Sequence, residues 1–151
     1  MLGQLKEYKM KIAIASDHGG FELKEALKKH YQSWNLLDLG THSTDSVDYP
    51  DIARQMVQTL RAKEADLGIL ICGTGIGISI AANRYKGIRA ALLYSQDVAR
   101  LAKQHNNANI LVFGGRTMSV DEVIKYIDVF LTTTYEGGRH QKRLEKLDAS
   151  E

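Results

Sequence analysis

The only cysteine of the chain stands directly before a loop rich in glycine. Cys72 ends the apolar run Leu67–Cys72, three glycines follow within five residues, and Ile78–Asn83 can then start a helix. An apolar run without polar alternation is typical of a strand buried on both faces of a parallel sheet. A glycine loop between such a strand and a helix directs several backbone N–H groups at one point, where they can bind an anion. The stretch therefore predicts a thiol beside an anion-binding loop.

The spacing of this loop differs from three known loops of similar composition. A dinucleotide fingerprint, G-x-G-x-x-G, requires a glycine where Ile78 stands. A phosphate-binding G-x-x-x-x-G-K-[ST] loop requires a lysine and a hydroxyl residue that the chain lacks here. A cysteine phosphatase requires an arginine six residues after its cysteine, and that position is again Ile78. The loop thus has no positive side chain of its own, and other parts of the chain must supply one.

The composition limits the class of protein. A chain of 151 residues is long enough for one domain that buries about 70% of its unfolded surface. One cysteine cannot form an internal disulfide, and the sequence shows no signal peptide or long apolar span, so a reducing, cytoplasmic setting is expected. The net charge of +2 does not favour nucleic acid or a membrane as a partner. We expect one domain over residues 1–151, with an N-terminal extension at 1–9 and a C-terminal helix or tail at 139–151.

Apolar runs alternate along the chain with segments of helical periodicity. Strands are predicted at Lys11–Ala15, Leu36–Leu39, Leu67–Cys72, Ile88–Leu93 and Ile110–Phe113. Helices are predicted at Leu23–Trp34, Ile52–Leu60, Ile78–Asn83, Ser95–Gln104, Glu122–Leu131 and Arg139–Leu147. The polar run Gly40–Asp51 is predicted as a loop, and Ser119 with Glu122 forms a capping-box signature. Five strands alternating with helices predict an α/β fold, a three-layer, doubly wound, Rossmann- or flavodoxin-like sandwich around a five-stranded parallel sheet.

Polar residues follow four of the five predicted strands. In a doubly wound sheet, ligands bind outside the carboxyl ends of the strands, near the point where the strand order reverses. These residues can therefore converge on one site. They are Asp17 and His18 after the first strand, Tyr49 after the second, Cys72 and Thr74 after the third, and Arg116 after the fifth.

Each candidate residue also has an ordinary structural interpretation. A cysteine at the end of a buried strand can act as a small hydrophobic residue, and glycines can serve a tight turn. Asp17 can cap a helix N-terminus, and His105 can cap a helix C-terminus. The basic residues Arg139 and Arg143 can form a solvated helix face. Tyr49 can simply pack within its loop.

Five segments of the chain carry a family resemblance. They are Ser16–Phe21, Asp48–Pro50, Cys72–Ser79, His105–Asn109 and Gly137–Gln141, and they occur in that order between about Lys11 and the end of the chain. Together they resemble the type B ribose-5-phosphate isomerases, whose superfamily includes galactose-6-phosphate and allose-6-phosphate isomerases. The resemblance implies an aldose–ketose isomerase of the pentose phosphate pathway. Such an enzyme opens the sugar ring and moves a proton between C2 and C1 through a cis-enediolate, with no cofactor and no metal.

The resemblance also implies roles for individual residues. Cys72 matches the base, which backbone N–H groups and a helix N-terminus would help to ionise. Thr74 and the loop N–H groups would stabilise the enediolate oxygen. Asp17 and His105 match residues that open the ring and shuttle protons. The residues implied to bind substrate are His18, Tyr49, Gly73, Gly75, Ile76, Gly77, Asn106, Arg116, Arg139, His140 and Arg143, with the phosphate on His18 and the arginines.

Two alternative functions stay open at this point. A six-carbon phosphosugar, allose 6-phosphate or galactose 6-phosphate, could be the substrate, because pocket depth cannot be read from the sequence. A non-catalytic module on a flavodoxin-like sheet explains the fold equally well. A response-receiver module would require an aspartate where Cys72 stands and a lysine where Arg116 stands, so the remaining form of this alternative is a nucleotide-binding module.

The position of His105 in the sequence predicts a site shared between two chains. His105 and Asn106 follow a helix and precede the fifth strand, so they belong at the edge of the sheet opposite Cys72, roughly 15 to 20 Å away. A second copy related by a twofold axis could bring His105 to Cys72. The resemblance likewise implies a homodimer with shared sites, or a dimer of such dimers. We expect a phosphosugar and a second copy as partners, and neither nucleic acid nor a membrane.

Overall fold

A parallel sheet of five strands lies between two layers of helices in the computed structural model, which describes residues 10–149. The strands are β1 (Ile12–Ser16), β2 (Leu37–Asp38), β3 (Leu67–Cys72), β4 (Ala90–Leu92) and β5 (Ile110–Gly114). They pair in the order β2-β1-β3-β5-β4, and every pair is parallel. The predicted fold class is confirmed. The predicted extension at 1–9 lies outside the described residues.

The first four helices connect successive strands, the last two follow β5, and together they cover both faces of the sheet. They are α1 (Phe21–His30), α2 (Tyr49–Arg61), α3 (Ile76–Asn83), α4 (Gln96–Gln104), α5 (Val120–Leu131) and α6 (Arg139–Asp148). Short 3-10 turns lie at His18–Gly20 and Gln32–Trp34. Within residues 10–149, no helix combines the length and the apolar content needed to cross a bilayer.

Side chains of β3 alternate between two hydrophobic cores, as the two-residue period of a strand requires. Ile69 and Ile71 pack in the core that contains the apolar faces of α1, α4 and α5. Leu70 and Cys72 pack in the core that contains the faces of α2 and α3. All six residues of β3 are buried, which explains their continuous apolar pattern. The thiol of Cys72 is thereby directed towards the α2 and α3 side of the sheet.

The strand order reverses between β1 and β3. From β1 the chain continues outward to β2, and it returns to place β3 on the other side of β1. Ser16 at the end of β1 is paired with Ile71 near the end of β3. Their carboxyl ends therefore form the crevice in which doubly wound proteins bind ligands.

Some predicted boundaries were wrong, each for a local reason. The loop predicted to extend to Asp51 ends earlier, because α2 begins at Tyr49 with Pro50 in its first turn. Proline is suited to that position, since a first-turn N–H has no partner within the helix. Likewise α3 begins at Ile76 rather than Ile78, and the predicted helix through Trp34 ends at His30. The Trp34 ring instead stacks on the ring of Tyr31 at a centroid distance of 4.2 Å.

Candidate active site

Three glycine-containing turns meet at the carboxyl ends of β1, β3 and β5. A Cβ atom on Gly19 would lie only 3.0 Å from the backbone nitrogen of Gly73, so the first two turns pack backbone to backbone. The third turn is joined to the second by hydrogen bonds. The Gly115 N–H donates to the Cys72 carbonyl at 2.8 Å, and the Arg116 N–H donates to the Gly73 carbonyl at 2.9 Å. The absence of side chains at Gly19 and Gly73 therefore lets residues from three strands surround one point.

Cys72 is buried at the start of the glycine loop. Its Sγ atom accepts a hydrogen bond from the Gly75 N–H at 3.2 Å. Gly75 precedes the first residue of α3 and has a left-handed φ of +82°, a conformation that favours glycine. The sulfur is therefore held by a backbone donor at the N-terminus of α3.

The glycine loop already uses two of the N–H groups that the sequence assigns to substrate. The Gly75 N–H donates to Cys72, and the Ile76 N–H donates to the Thr74 hydroxyl at 3.2 Å. Thr74 and Ile76 are both exposed at the mouth of the site. A bound oxyanion would have to share these two donors with the thiol and the hydroxyl, or use other N–H groups of the loop.

Asp17 and His18 lie on the turn that follows β1. Asp17 is buried, and its Oδ1 atom accepts from the Gly19 N–H at 2.9 Å, so the carboxylate caps the 3-10 turn. His18 Nδ1 accepts from the Val47 N–H at 3.2 Å. In its neutral form, the His18 ring therefore carries its proton on Nε2. The turn holds both side chains in fixed positions next to the glycine loop.

Tyr49 reaches the same region from the first turn of α2. A Cβ atom on Gly77 would lie 2.7 Å from Tyr49 Cζ and 3.1 Å from its hydroxyl oxygen. The ring therefore occupies the space that a side chain at position 77 would fill. Glycine at 77 is thus explained by the Tyr49 ring, and the ring places a hydroxyl beside the first turn of α3.

Arg116 supplies the positive charge that the glycine loop lacks. A Cβ atom on Gly73 would lie 3.2 Å from Arg116 Nη1, so the guanidinium group packs against the loop backbone. Within residues 10–149, no carboxylate lies within ion-pair distance of Arg116. Its charge is therefore available to an anion such as a phosphate.

A second set of predicted residues lies around the end of α4 and the start of α6. His105 is the C-cap residue of α4, as its structural interpretation anticipates, and its ring stacks on that of His140 at 4.3 Å between centroids. Burial lowers the pKa of His140, and the nearby His105 and Arg139 lower it further. Arg139 and Arg143 lie one turn apart on α6, and both are exposed. No carboxylate among the described residues pairs with either arginine.

Asn106 is exposed beside this second set, and its backbone is held by a residue that the sequence analysis missed. Arg89 donates from Nε to the Asn106 carbonyl and from Nη2 to the Asn107 carbonyl, both at 3.0 Å. Arg89 Nη1 also pairs with Asp148 at the end of α6. Glu136, which contacts His105 and His140, was missed as well. The partners of Arg89 are distant in the sequence, and Glu136 was missed although it lies only four residues before His140.

The two sets lie at opposite ends of the sheet within one chain. Cys72 pairs with Gly114 at the carboxyl end of β5, whereas His105 precedes Ile110 at its amino end. Five residues of parallel strand span about 16 Å. The structure therefore brings together Asp17, His18, Tyr49, Cys72, Gly73, Thr74, Gly75, Ile76, Gly77 and Arg116. The remaining predicted residues lie near the amino end of β5, and they are His105, Asn106, Arg139, His140 and Arg143.

Comparison with known proteins gives one consistent result. Residues 12–147 match the model of a family described as ribose/galactose isomerase. The ribose-5-phosphate isomerase B of Escherichia coli strain K12 is 44% identical over 143 residues, which cover 93% of this chain and 96% of that protein.

Solved structures agree with the sequence comparison. A ribose 5-phosphate isomerase from Thermotoga maritima superposes with a TM-score of 0.89 at 54% identity, covering 93% of this chain and 99% of that one. The ribose-5-phosphate isomerase B of Mycoplasma genitalium, solved with bound ribulose 5-phosphate, gives a TM-score of 0.84 at 44% identity. That superposition covers 92% of this chain and 94% of the other.

Proposed function

The chain belongs to the ribose/galactose isomerase family, and we propose that it interconverts ribose 5-phosphate and ribulose 5-phosphate by proton transfer at Cys72. The relatives named ribose-5-phosphate isomerase B support this reaction, and it makes the chain an aldose–ketose isomerase. The structural observation that carries the proposal is the buried Cys72 thiol, which accepts a hydrogen bond from Gly75 at the start of α3. The nucleotide-binding alternative has no comparable support.

In the proposed reaction, Cys72 acts as the base and then as the acid. Its thiolate removes the proton from C2 of the open-chain aldose, the electron pair forms the C1–C2 double bond, and the C1 oxygen becomes the enediolate oxygen. The thiol then returns the proton to C1 while a proton moves from the C2 hydroxyl to the C1 oxygen, so that C2 becomes the carbonyl of the ketose. Backbone N–H groups of the glycine loop and the Thr74 hydroxyl are proposed to stabilise the developing charge.

The phosphate and the sugar hydroxyls are assigned to the remaining polar residues of the site. Arg116 and His18 are proposed to bind the phosphate, because both lie against the turns around Cys72 and Arg116 has no carboxylate partner in the described part of the chain. Tyr49 is proposed to contact a sugar hydroxyl, and Asp17 to assist ring opening. The proposed reaction uses no metal ion and no cofactor.

A second copy of the chain is proposed to complete the site. His105 would shuttle protons on the sugar hydroxyls, yet it lies about one strand length from Cys72 in its own chain. Because Arg139, His140 and Arg143 lie beside His105, a contact that brings His105 to the site of a partner brings the two arginines and His140 too. The exposed apolar residues Ile76 and Ile80, one turn apart on α3 and 54% and 52% exposed, offer an apolar surface next to the site for such a contact.

We also propose that the chain is located in the cytoplasm. A cysteine base must stay reduced, and a reducing setting such as the cytoplasm keeps a free thiol reduced.

The proposed function is tested by following ketose formation from ribose 5-phosphate in the presence of EDTA. Allose 6-phosphate and galactose 6-phosphate serve as the comparison substrates. We expect turnover of ribose 5-phosphate at a higher kcat/KM than of either six-carbon sugar. A protein that turns over none of the three would contradict the proposal, and a requirement for an added metal ion would contradict the metal-free mechanism.

A further inference from the structure

Two histidines and one glutamate converge next to α6, away from Cys72. His105, Glu136 and His140 each offer one ligand atom, and the three atoms lie within 4.8 Å of one another. Glu136 Oε1 lies 3.6 Å from His105 Nε2 and 3.4 Å from His140 Nε2. We refer to these three residues as the His–Glu–His cluster.

Two separations within the cluster, from Glu136 Oε1 to His105 Nε2 and to His140 Nε2, match those between the ligands of a zinc ion. Zinc binds imidazole nitrogen and carboxylate oxygen at about 2.0–2.2 Å in a tetrahedral arrangement, which places neighbouring ligand atoms about 3.3–3.6 Å apart. The rings of His105 and His140 are nearly parallel, at 16°. Binding of one ion by both Nε2 atoms would require the rings to rotate about their χ2 torsions, which are broad for histidine.

His140 lacks a partner that a bound ion would provide. The residue is 8% exposed, and its Nε2 atom is buried without a hydrogen-bond partner within residues 10–149. Buried polar atoms of native proteins are nearly always paired, so an unpaired one requires an explanation. The Nε2 atom lies 3.4 Å from Glu136 Oε1 without a hydrogen bond between them, and a cation bound by both atoms would satisfy both.

The backbone holds the three ligands on two elements that are joined to each other. The Glu136 N–H donates to the carbonyl of Gln104, the last residue of α4, at 3.1 Å, and His105 follows directly. The His140 N–H donates to the Gly137 carbonyl at 3.1 Å in the first turn of α6. Because the His105 side chain is 37% exposed, water can reach a fourth coordination position. The cluster therefore has the three protein ligands and the open position of a zinc site.

We propose that His105, Glu136 and His140 bind a divalent transition-metal ion, with Zn²⁺ the best fit, and that the ion inhibits the isomerase. Two imidazoles and one carboxylate suit Zn²⁺, whereas Mg²⁺ and Ca²⁺ require more oxygen ligands. The inhibitory part rests on the proposed function. An ion on Nε2 would occupy the nitrogen with which His105 is to carry protons, and it would hold that ring against its own chain.

Metal binding is tested directly, without an activity assay. Chelator-treated Cys72→Ser protein is titrated with Zn²⁺ by calorimetry and with Co²⁺ by its visible absorption, so that the thiol cannot act as a ligand. We expect one ion per chain and the spectrum of a tetrahedral site. Introducing Glu136→Gln into the Cys72→Ser protein should weaken Zn²⁺ binding by at least about tenfold, because it removes one of three ligands. Introducing His140→Ala should weaken Zn²⁺ binding by a similar factor for the same reason. Glu145→Gln, an equal charge change on α6, is the matched control and should bind as the parent does.

Three outcomes would overturn the metal site. Equal Zn²⁺ affinity of the Glu136→Gln variant and the parent would show that the carboxylate is not a ligand. An equal loss of Zn²⁺ affinity in the Glu145→Gln control would show that the effect comes from net charge and not from a lost ligand. Binding by the wild type that vanishes with Cys72→Ser would place the ion on the thiol.

Inhibition is measured as the isomerase activity without Zn²⁺ divided by the activity with Zn²⁺. This ratio is determined separately for the wild type, the Glu136→Gln variant and the Glu145→Gln variant. We expect the ratio to fall towards one only in Glu136→Gln. An unchanged wild-type activity with the site filled would overturn the inhibitory part. A chain that binds Zn²⁺ at the cluster but isomerises no phosphosugar would contradict the proposed function and support the metal site.

Discussion

The chemistry proposed for Cys72 depends on one hydrogen bond and one helix end. The Gly75 N–H lies 3.2 Å from Sγ, and the following residue begins α3. Donors to a charged group favour its charged form. A hydroxyl in the same place is far harder to ionise, so the identity of this one atom matters more than the shape of the residue.

We therefore expect Cys72→Ser to lower kcat at least about 100-fold with a modest change in KM. Serine keeps the size of the side chain, and Oγ can still accept from Gly75. The measurement is steady-state kinetics on ribose 5-phosphate, with circular dichroism to confirm folding. A near-normal kcat would mean that another group takes the proton.

The proposed role of Arg143 is tested by comparing two sugars. Arg143 and Lys142 are both exposed on α6, but only Arg143 lies one turn from Arg139. We expect Arg143→Ala to raise KM for ribose 5-phosphate and to change any residual activity on unphosphorylated ribose little. Lys142→Ala is the matched control and should change neither. Equal losses on both sugars would contradict a phosphate role.

At the scale of elements, a buried ion pair joins α1 to β2. Lys24 has no exposed surface, and its Nζ atom donates to Asp38 at 2.7 and 2.9 Å, while the Gly40 N–H donates to Asp38 at 2.9 Å. Burial raises the pKa of Asp38, but hydrogen bonds from Lys24, Lys28 and Gly40 outweigh it and lower the pKa from 3.8 to about 2. The pair holds α1 against the edge strand β2, which pairs with β1, and the turn that carries Asp17 follows β1.

This ion pair predicts a loss of stability in acid. Because the pKa of Asp38 is lower in the folded chain, the unfolded chain takes up its proton first as the pH falls. The contribution is therefore complete above about pH 5 and is lost between about pH 4 and pH 2. We expect Asp38→Asn to lower the free energy of unfolding by about 3–5 kcal/mol at pH 7, since it leaves Lys24 without its main partner.

Urea unfolding at several pH values measures both effects. Asp51→Asn removes a carboxylate from an exposed pair with Arg54 and is the control, with an expected change of less than about 1 kcal/mol. If the wild type and Asp38→Asn lost stability in parallel between pH 4 and pH 2, the ion pair would not be the cause.

Sequence patterns predicted the elements better than their contacts. Continuous apolar runs such as β3 identify buried strands because both faces of the sheet are covered. The start of α2 at Tyr49 was missed because the polar composition of the preceding run resembles a loop, although Pro50 suits a first helical turn. Arg89 could not be found, since its partners lie on other elements, and neither could the contact of Glu136 with His105, which is 31 residues away in the sequence.

At the scale of the whole molecule, one chain contains both sets of residues of the proposed site and holds them about one strand length apart. Cys72 and Arg116 lie at the carboxyl ends of the strands, and His105 lies at the amino end of β5. A twofold pair would present the His105 region of each chain to the Cys72 region of the other, forming two equal sites. Since this chain carries both sets of residues, we expect self-association to be sufficient.

Mixing two inactive proteins tests this arrangement. Cys72→Ala removes the base and His105→Ala removes the proton shuttle, so each variant alone should be inactive. When equal amounts are unfolded and refolded together, random pairing makes about half of the dimers hybrids, and each hybrid has one intact site of two. About a quarter of wild-type activity should therefore return. Mixing without unfolding, with intact dimers that exchange slowly, is the control and should restore less. If hybrids form, as shown by co-purification of differently tagged chains, and the mixture stays inactive, then Cys72 and His105 act within one chain and the shared site is wrong.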